Sequence, residues 1–136
     1  MNRVRSLATA AIITGTLLGG GMSTATSAAA SAQSIDYIAG KDTYAGSCKG
    51  WLNRDSSNGY VQALGQSWNN NQCVVYLERM RLGSDGYGWT PVSSSYFLLN
   101  STAATGFHWN GTDAASHVCI DNSTTGQKHV CGDAAW

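Results

Sequence analysis

Charge is scarce in this chain: 12% of its 136 residues are Asp, Glu, Lys or Arg, and eight basic residues face eight acidic ones. The few cations are scattered, with no cluster able to displace the counterions of a polyanion, which excludes a nucleic-acid-binding role. No long segment places apolar residues every three or four positions, which argues against a helical domain. The longest apolar run, Leu7 to Leu18, stops at Gly19-Gly20-Gly21 after about a dozen residues, short of the roughly twenty that span a bilayer. There is no Cys-x-x-Cys spacing of the kind that builds a tetrahedral zinc site. A Gly-x-Ser-x-Gly elbow is missing, as is a glycine loop leading into a helix, so the usual hydrolase and phosphate-cradling signatures are absent.

The first residues have the layout of an export signal. Arg3 and Arg5 form a positive start, the apolar run follows, and Ala30-Ser31-Ala32 is a small-residue cleavage site. Cleavage after Ala32, or after Ala30, predicts a secreted, extracellular protein with residues 1–32 removed. Taking Arg3 and Arg5 from the eight basic residues leaves six against eight acidic ones, a formal charge of about minus two. One domain is expected in what remains.

That remainder is rich in Gly, Ser, Thr, Asn, Tyr and Trp. Short runs of strand-forming residues alternate with turn clusters at Asp55 to Gly59, Asn69 to Gln72, Gly83 to Gly88, Asn100 to Gly106 and Asn122 to Gly126. The spacing predicts an all-β fold, a small disulfide-bonded sandwich or barrel of about seven or eight short antiparallel strands. Strands are expected near 34–38, 48–54, 60–68, 73–81, 89–92, 96–99, 114–121 and 127–131. In 60–68, Tyr60, Leu64 and Trp68 compete with Val61 and Ala63 for the buried face.

Four cysteines, Cys48, Cys73, Cys119 and Cys131, lie in the exported portion, where disulfides persist. Three connectivities are open to them. We favour Cys48 with Cys73 and Cys119 with Cys131, because each pair brackets a predicted hairpin or meander, and each bridge is worth about 2–4 kcal/mol. Placing Cys119 opposite Cys131 fixes a hairpin register in which Asp121 faces His129 and His117 faces Asp133. Val118, Ile120 and Val130 then point to the core on the other side. Four residues along a strand is roughly 13 Å, so the two Asp/His pairs would not share a metal, and they read as surface pairs. His108, in another segment, has no spacing that ties it to either pair. Glu78, between Leu77 and Arg79, reads as a surface ion-pair residue rather than half of a carboxylate pair for glycoside hydrolysis. We expect no catalytic residue, no metal and no cofactor.

Aromatics are the better lead, with five Trp, six Tyr and two Phe. Some must serve the core. Others suit binding surfaces, because they join a large apolar area to a polar handle. Tyr87, Trp89 and Trp109 are the candidates for exposed contacts or a sugar-stacking platform. The arm 33–47 precedes the first cysteine of the domain 48–136. Its Ile35, Tyr37, Ile38 and Lys41 either fold back as an edge strand or pair with a partner's sheet. Asn100, Asn110 and Asn122 open Asn-x-Ser/Thr sequons in predicted loops and read as turn residues.

Cys48-Lys49-Gly50-Trp51-Leu52, Trp68-Asn69-Asn70-Asn71-Gln72-Cys73, Leu77-Glu78-Arg79 and His117-Val118-Cys119-Ile120 together resemble the small exported four-cysteine proteins of actinobacteria. Within that group the chain is similar to the adaptor subunits of the umbrella toxin particles of Streptomyces. The resemblance implies a non-catalytic component linking a lectin subunit to a large toxin subunit in a secreted antibacterial complex. It also implies a partner-inserting role for Ile35 to Lys41. Two other classes remain open: a secreted inhibitor of an extracellular hydrolase, and a carbohydrate-binding module.

Overall fold

A computed structural model of the chain describes residues 34–81 and 88–136. The expected leader over 1–32 and the candidate Tyr87 lie outside the described residues. Ten strands run in chain order. They are β1 (Ile35–Tyr37), β2 (Thr43–Ala45), β3 (Cys48–Asp55), β4 (Val61–Ser67), β5 (Gln72–Arg81), β6 (Thr90–Pro91), β7 (Tyr96–Leu99), β8 (Thr102–Ala104), β9 (Ala114–Asn122) and β10 (Gln127–Cys131). They form two five-stranded antiparallel sheets. In the first, β1-β3-β4-β8 are neighbours and β2 also pairs with β3. In the second, β10-β9-β5-β6 are neighbours and β7 also pairs with β5. Among the described residues there is no helix, and so none long and apolar enough to cross a membrane.

The expected all-β fold is present, with two strands more than the upper expectation. β2 and β8 are three residues each, and β8 lies inside a stretch whose Asn, Ser, Thr and Gly content reads as turn. It forms because Gln66, Gly65 and Leu64 of β4 supply a ladder for Thr102, Ala103 and Ala104.

The turns follow from their residues. Asn69 and Asn70 both take positive φ, 53° and 56°, and Asn71 N donates to Trp68 O. Two left-handed residues in a two-residue loop are the hairpin geometry that asparagine tolerates. After β3, the Asp55 carboxylate accepts from Ser57 N, Ser57 Oγ and Asn58 Nδ2 at 2.6–2.9 Å. Gly59 then supplies the positive φ.

Between the sheets, Leu52, Val61 and Ala63 meet Val75, Leu77, Leu98, Val118 and Ile120. The ambiguous β4 therefore buries its Val61 and Ala63 face, with Gly65 and Ser67 in phase. Gly65 shows why: a Cβ there would sit 2.6 Å from Val75 Cβ and 2.8 Å from Leu98 Cδ1. The sheets touch across this bare backbone. Gly65→Ala should lower stability by about 1–3 kcal/mol through overpacking, read as an earlier urea midpoint at unchanged slope.

Both favoured disulfides are present. Cys48–Cys73 ties β3 of one sheet to β5 of the other, and Cys119–Cys131 crosses the β9–β10 hairpin. No free cysteine remains among the described residues.

Candidate functional site

Two constellations stand out, one on the outer face of each sheet. On the first sheet, alternation along β2 and β3 puts Tyr44, Lys49 and Trp51 outward, while Ala45, Cys48 and Leu52 go to the core. Register places Tyr44 opposite Lys49. The Lys49 ammonium lies 5.6 Å over the Tyr44 ring and 5.3 Å over the Trp51 ring, within cation–π range. It is also 2.8 Å from the Asp42 carboxylate, which accepts the Tyr37 hydroxyl at 2.6 Å. Burial pushes Asp42 up, but the bonds from Lys49 and Tyr37 outweigh it and hold its carboxyl below the usual range. The bond to Asp42 in turn raises Lys49 and Tyr37.

The arm is thus part of the sheet. Ile35 and Tyr37 pair with Asp55 and Asn53 of β3, and both side chains remain exposed, at 47% and 52%. Ile38 turns inward against the core. Lys41 is half-buried, and Gly132 packs on its carbonyl so closely that a Cβ there would lie 2.4 Å from the oxygen. The arm folds back as an edge strand of the first sheet. Among the described residues, the far edge of β1 pairs with no other strand.

On the second sheet, β5 and β9 place Val74 beside Asp121, Tyr76 beside Cys119 and Glu78 beside His117 on the outer face. The predicted register holds at Cys119–Cys131 and Ile120–Val130, and Ile120 is in the core. Neither predicted Asp/His pair forms through its imidazole ring. Between Gln127 and Val130, β10 carries one residue more than the facing strand, and His129 sits at φ 52°. A bulge of this kind re-aims a side chain. His129 N donates to Asp121 Oδ1 at 2.7 Å, while its ring turns to Glu78, with Nε2 3.1–3.2 Å from the two carboxylate oxygens. His117 Nε2 is 3.0 Å from Glu78 Oε2, and the Trp89 ring stacks on His117 at 3.7 Å. His117 is therefore engaged by the neighbouring strand rather than by Asp133, which is exposed.

Glu78 is accordingly not a surface residue. It is 5% exposed, and two imidazoles meet at its carboxylate. Burial pushes it up, but the hydrogen bonds from His117 and then His129 prevail and hold it below the ordinary value of 4.5. A depressed folded value contributes stability above the unfolded value, and that contribution is lost as pH falls through the folded one. The stability difference between the parent and Glu78→Gln should shrink as pH falls below 4.5, as urea titrations across that range would measure. Tyr76, pushed up to about 12 by burial and then by Asp121, stays protonated and points its hydroxyl at Asp121.

The remaining candidates are engaged elsewhere. His108 bridges the backbone of Val61 on the first sheet, and burial, then Arg79, lowers it. Trp109 is half-buried, with Gly111 against its ring, Arg81 5.4 Å over it, and Arg79 bonded to its carbonyl. Trp89 is half-buried on His117. Among the described residues, the exposed aromatics are Tyr37, Tyr44, Tyr60, Tyr96, Phe97 and Trp136. A recess of about 250 Å³ near Trp136 is lined in part by Arg54, which bonds a main-chain oxygen of Trp136. Asn110 and Asn122, read as loop residues, are buried and bonded. Only Asn100 of the three sequons is exposed.

Sequence reasoning missed the Lys49 cluster, although its signal was present: Lys49-x-Trp51 and Thr43-Tyr44-Ala45 alternate about buried residues. Comparison with protein-family models, with curated proteins and with solved structures returns no match for this chain.

Proposed function

We propose that this chain is a secreted, non-catalytic binding module that docks another exported protein on the face and free edge built by β1, β2 and β3. The observation that carries the reading is the cluster of Tyr37, Tyr44 and Trp51 around the Asp42–Lys49 pair. It joins exposed aromatic area to a polar centre, the composition of interface hot spots, beside an edge strand whose outer backbone groups suit strand addition. Ile35 extends the apolar rim. The two disulfides fit an oxidising compartment. In its most specific form, drawn from the resemblance to umbrella toxin adaptors, the module links a lectin subunit to a large toxin subunit.

Affinity purification of the tagged chain from culture fluid tests the reading. An adaptor brings down a multi-subunit assembly, an inhibitor a single hydrolase, and a carbohydrate-binding module binds glycans unaided. Tyr44, 56% exposed, is the decisive position. Tyr44→Ala should weaken partner capture at least tenfold while shifting stability by only about 0.5 kcal/mol. Retention of full binding by this variant would displace the docking surface from this face.

A further inference from the structure

We propose that opening the Cys119–Cys131 bridge creates a zinc site from Glu78, Cys119, His129 and Cys131. One ligand atom from each residue lies within 4.8 Å of all the others. With bonds of about 2.0–2.3 Å, a tetrahedral zinc ion separates its donors by about 3.3–3.8 Å. In the oxidised chain the two sulfurs are bonded to each other, so they offer no thiolate and the set is closed. Once reduced, they need only part while the other donors draw in. Two thiolates, an imidazole and a carboxylate form a donor set that zinc favours.

The supports for such a centre are already in place. Glu78 is buried and its carboxylate is held by His117 Nε2, the kind of outer contact that fixes a ligand's orientation. Trp89 stacks behind His117. His129 reaches the cluster through a bulge and a positive φ, uncommon among residues other than glycine. Its side chain is 60% exposed, which gives an ion a way in. Cys131 is partly exposed, whereas Cys48 and Cys73 are fully buried, so an added dithiol meets the β9–β10 bridge first. The chemistry balances: the dithiol passes two electrons and two protons to the S–S bond and becomes a cyclic disulfide. Each new thiol then releases its proton to solvent as its sulfur takes the metal. This site is on the opposite sheet from the docking face and is independent of it.

The test uses the full exported chain, treated anaerobically with dithiothreitol until alkylation and mass spectrometry find Cys119 and Cys131 open and Cys48–Cys73 intact. After anaerobic desalting removes the dithiothreitol, cobalt(II) is titrated first, then displaced by zinc. The expected result is one ion per reduced chain, with thiolate-to-cobalt charge-transfer absorption, and none in the oxidised chain. His129→Asn tolerates the same φ and should weaken zinc binding at least tenfold. Cys119→Ser with Cys131→Ser should abolish the absorption. The proposal is overturned if the oxidised chain binds equally, if His129→Asn binds as the parent does, or if no charge-transfer band appears. It is also overturned if reduction erases the near-ultraviolet circular dichroism and zinc does not restore it.

Discussion

A chain carrying Cys48→Ala and Cys73→Ala should unfold with about 4 kcal/mol less free energy than the parent, measured by urea denaturation. The bridge closes a segment with a sequence separation of 25, for which the chain-entropy relation gives about 3.5 kcal/mol. Both half-cystines are fully buried in the core, so losing the sulfurs also leaves unfilled space between the sheets. Removing Cys119–Cys131 should cost less, about 3 kcal/mol, because its separation is 12. The ordering is the sharper test. One bridge joins two sheets that no backbone ladder connects, and the other reinforces a hairpin already held by its own hydrogen bonds. A larger loss from the hairpin bridge would mean that sheet-to-sheet packing, rather than the Cys48–Cys73 link, holds the layers together.

The parts of the fold legible in the sequence are those fixed by local chemistry. Cysteines bracketing Asn-rich and Thr-rich turns gave the pairing, and Cys119 opposite Cys131 placed Val118 and Ile120 correctly in the core. The register argument failed two residues from the disulfide, at His129, because the extra residue in β10 depends on Asp121 accepting the His129 amide. That contact exists only after the strands have met. Glu78 was assigned to the correct face and the wrong environment. Alternation with Leu77 points it away from the core, but His117, His129 and Trp89 arrive from separate segments to cover that face. β8 went unseen because three small residues carry no periodicity of their own. The Lys49 cluster was half legible: the Lys49-x-Trp51 alternation was there to read, whereas its closure by Tyr37 and Asp42 required the arm to fold back on β3.

The same distinction explains why a residue read as an ordinary turn asparagine should carry one of the largest single effects in the chain. Asn122 is fully buried at the end of β9. Its Nδ2 donates to Ala45 O and to Asn71 Oδ1, both at 2.7 Å. Its Oδ1 accepts from Thr124 N at 3.0 Å and Thr125 N at 3.2 Å. One side chain thereby ties the β9–β10 turn to β2 and to the segment leading into β5. Asn122→Ala strands these groups, and each buried polar group left unsatisfied costs about 1–3 kcal/mol. Water entering at the turn recovers part of that loss, which leaves an expected destabilisation of about 3 kcal/mol. Asn122→Asp separates the two halves of the role, since it keeps an acceptor for the threonine amides but sets carboxylate oxygen against Ala45 O. It should therefore be at least as damaging as alanine. Asn100→Ala, at an exposed turn position bonded to Asn70 and held at φ 47°, should cost less, about 1–2 kcal/mol, mainly for placing alanine in a left-handed conformation. If thermal and urea unfolding ranked Asn122→Asp near the parent, the donors to Ala45 and Asn71 would contribute little, and the turn contacts alone would account for the burial of this residue.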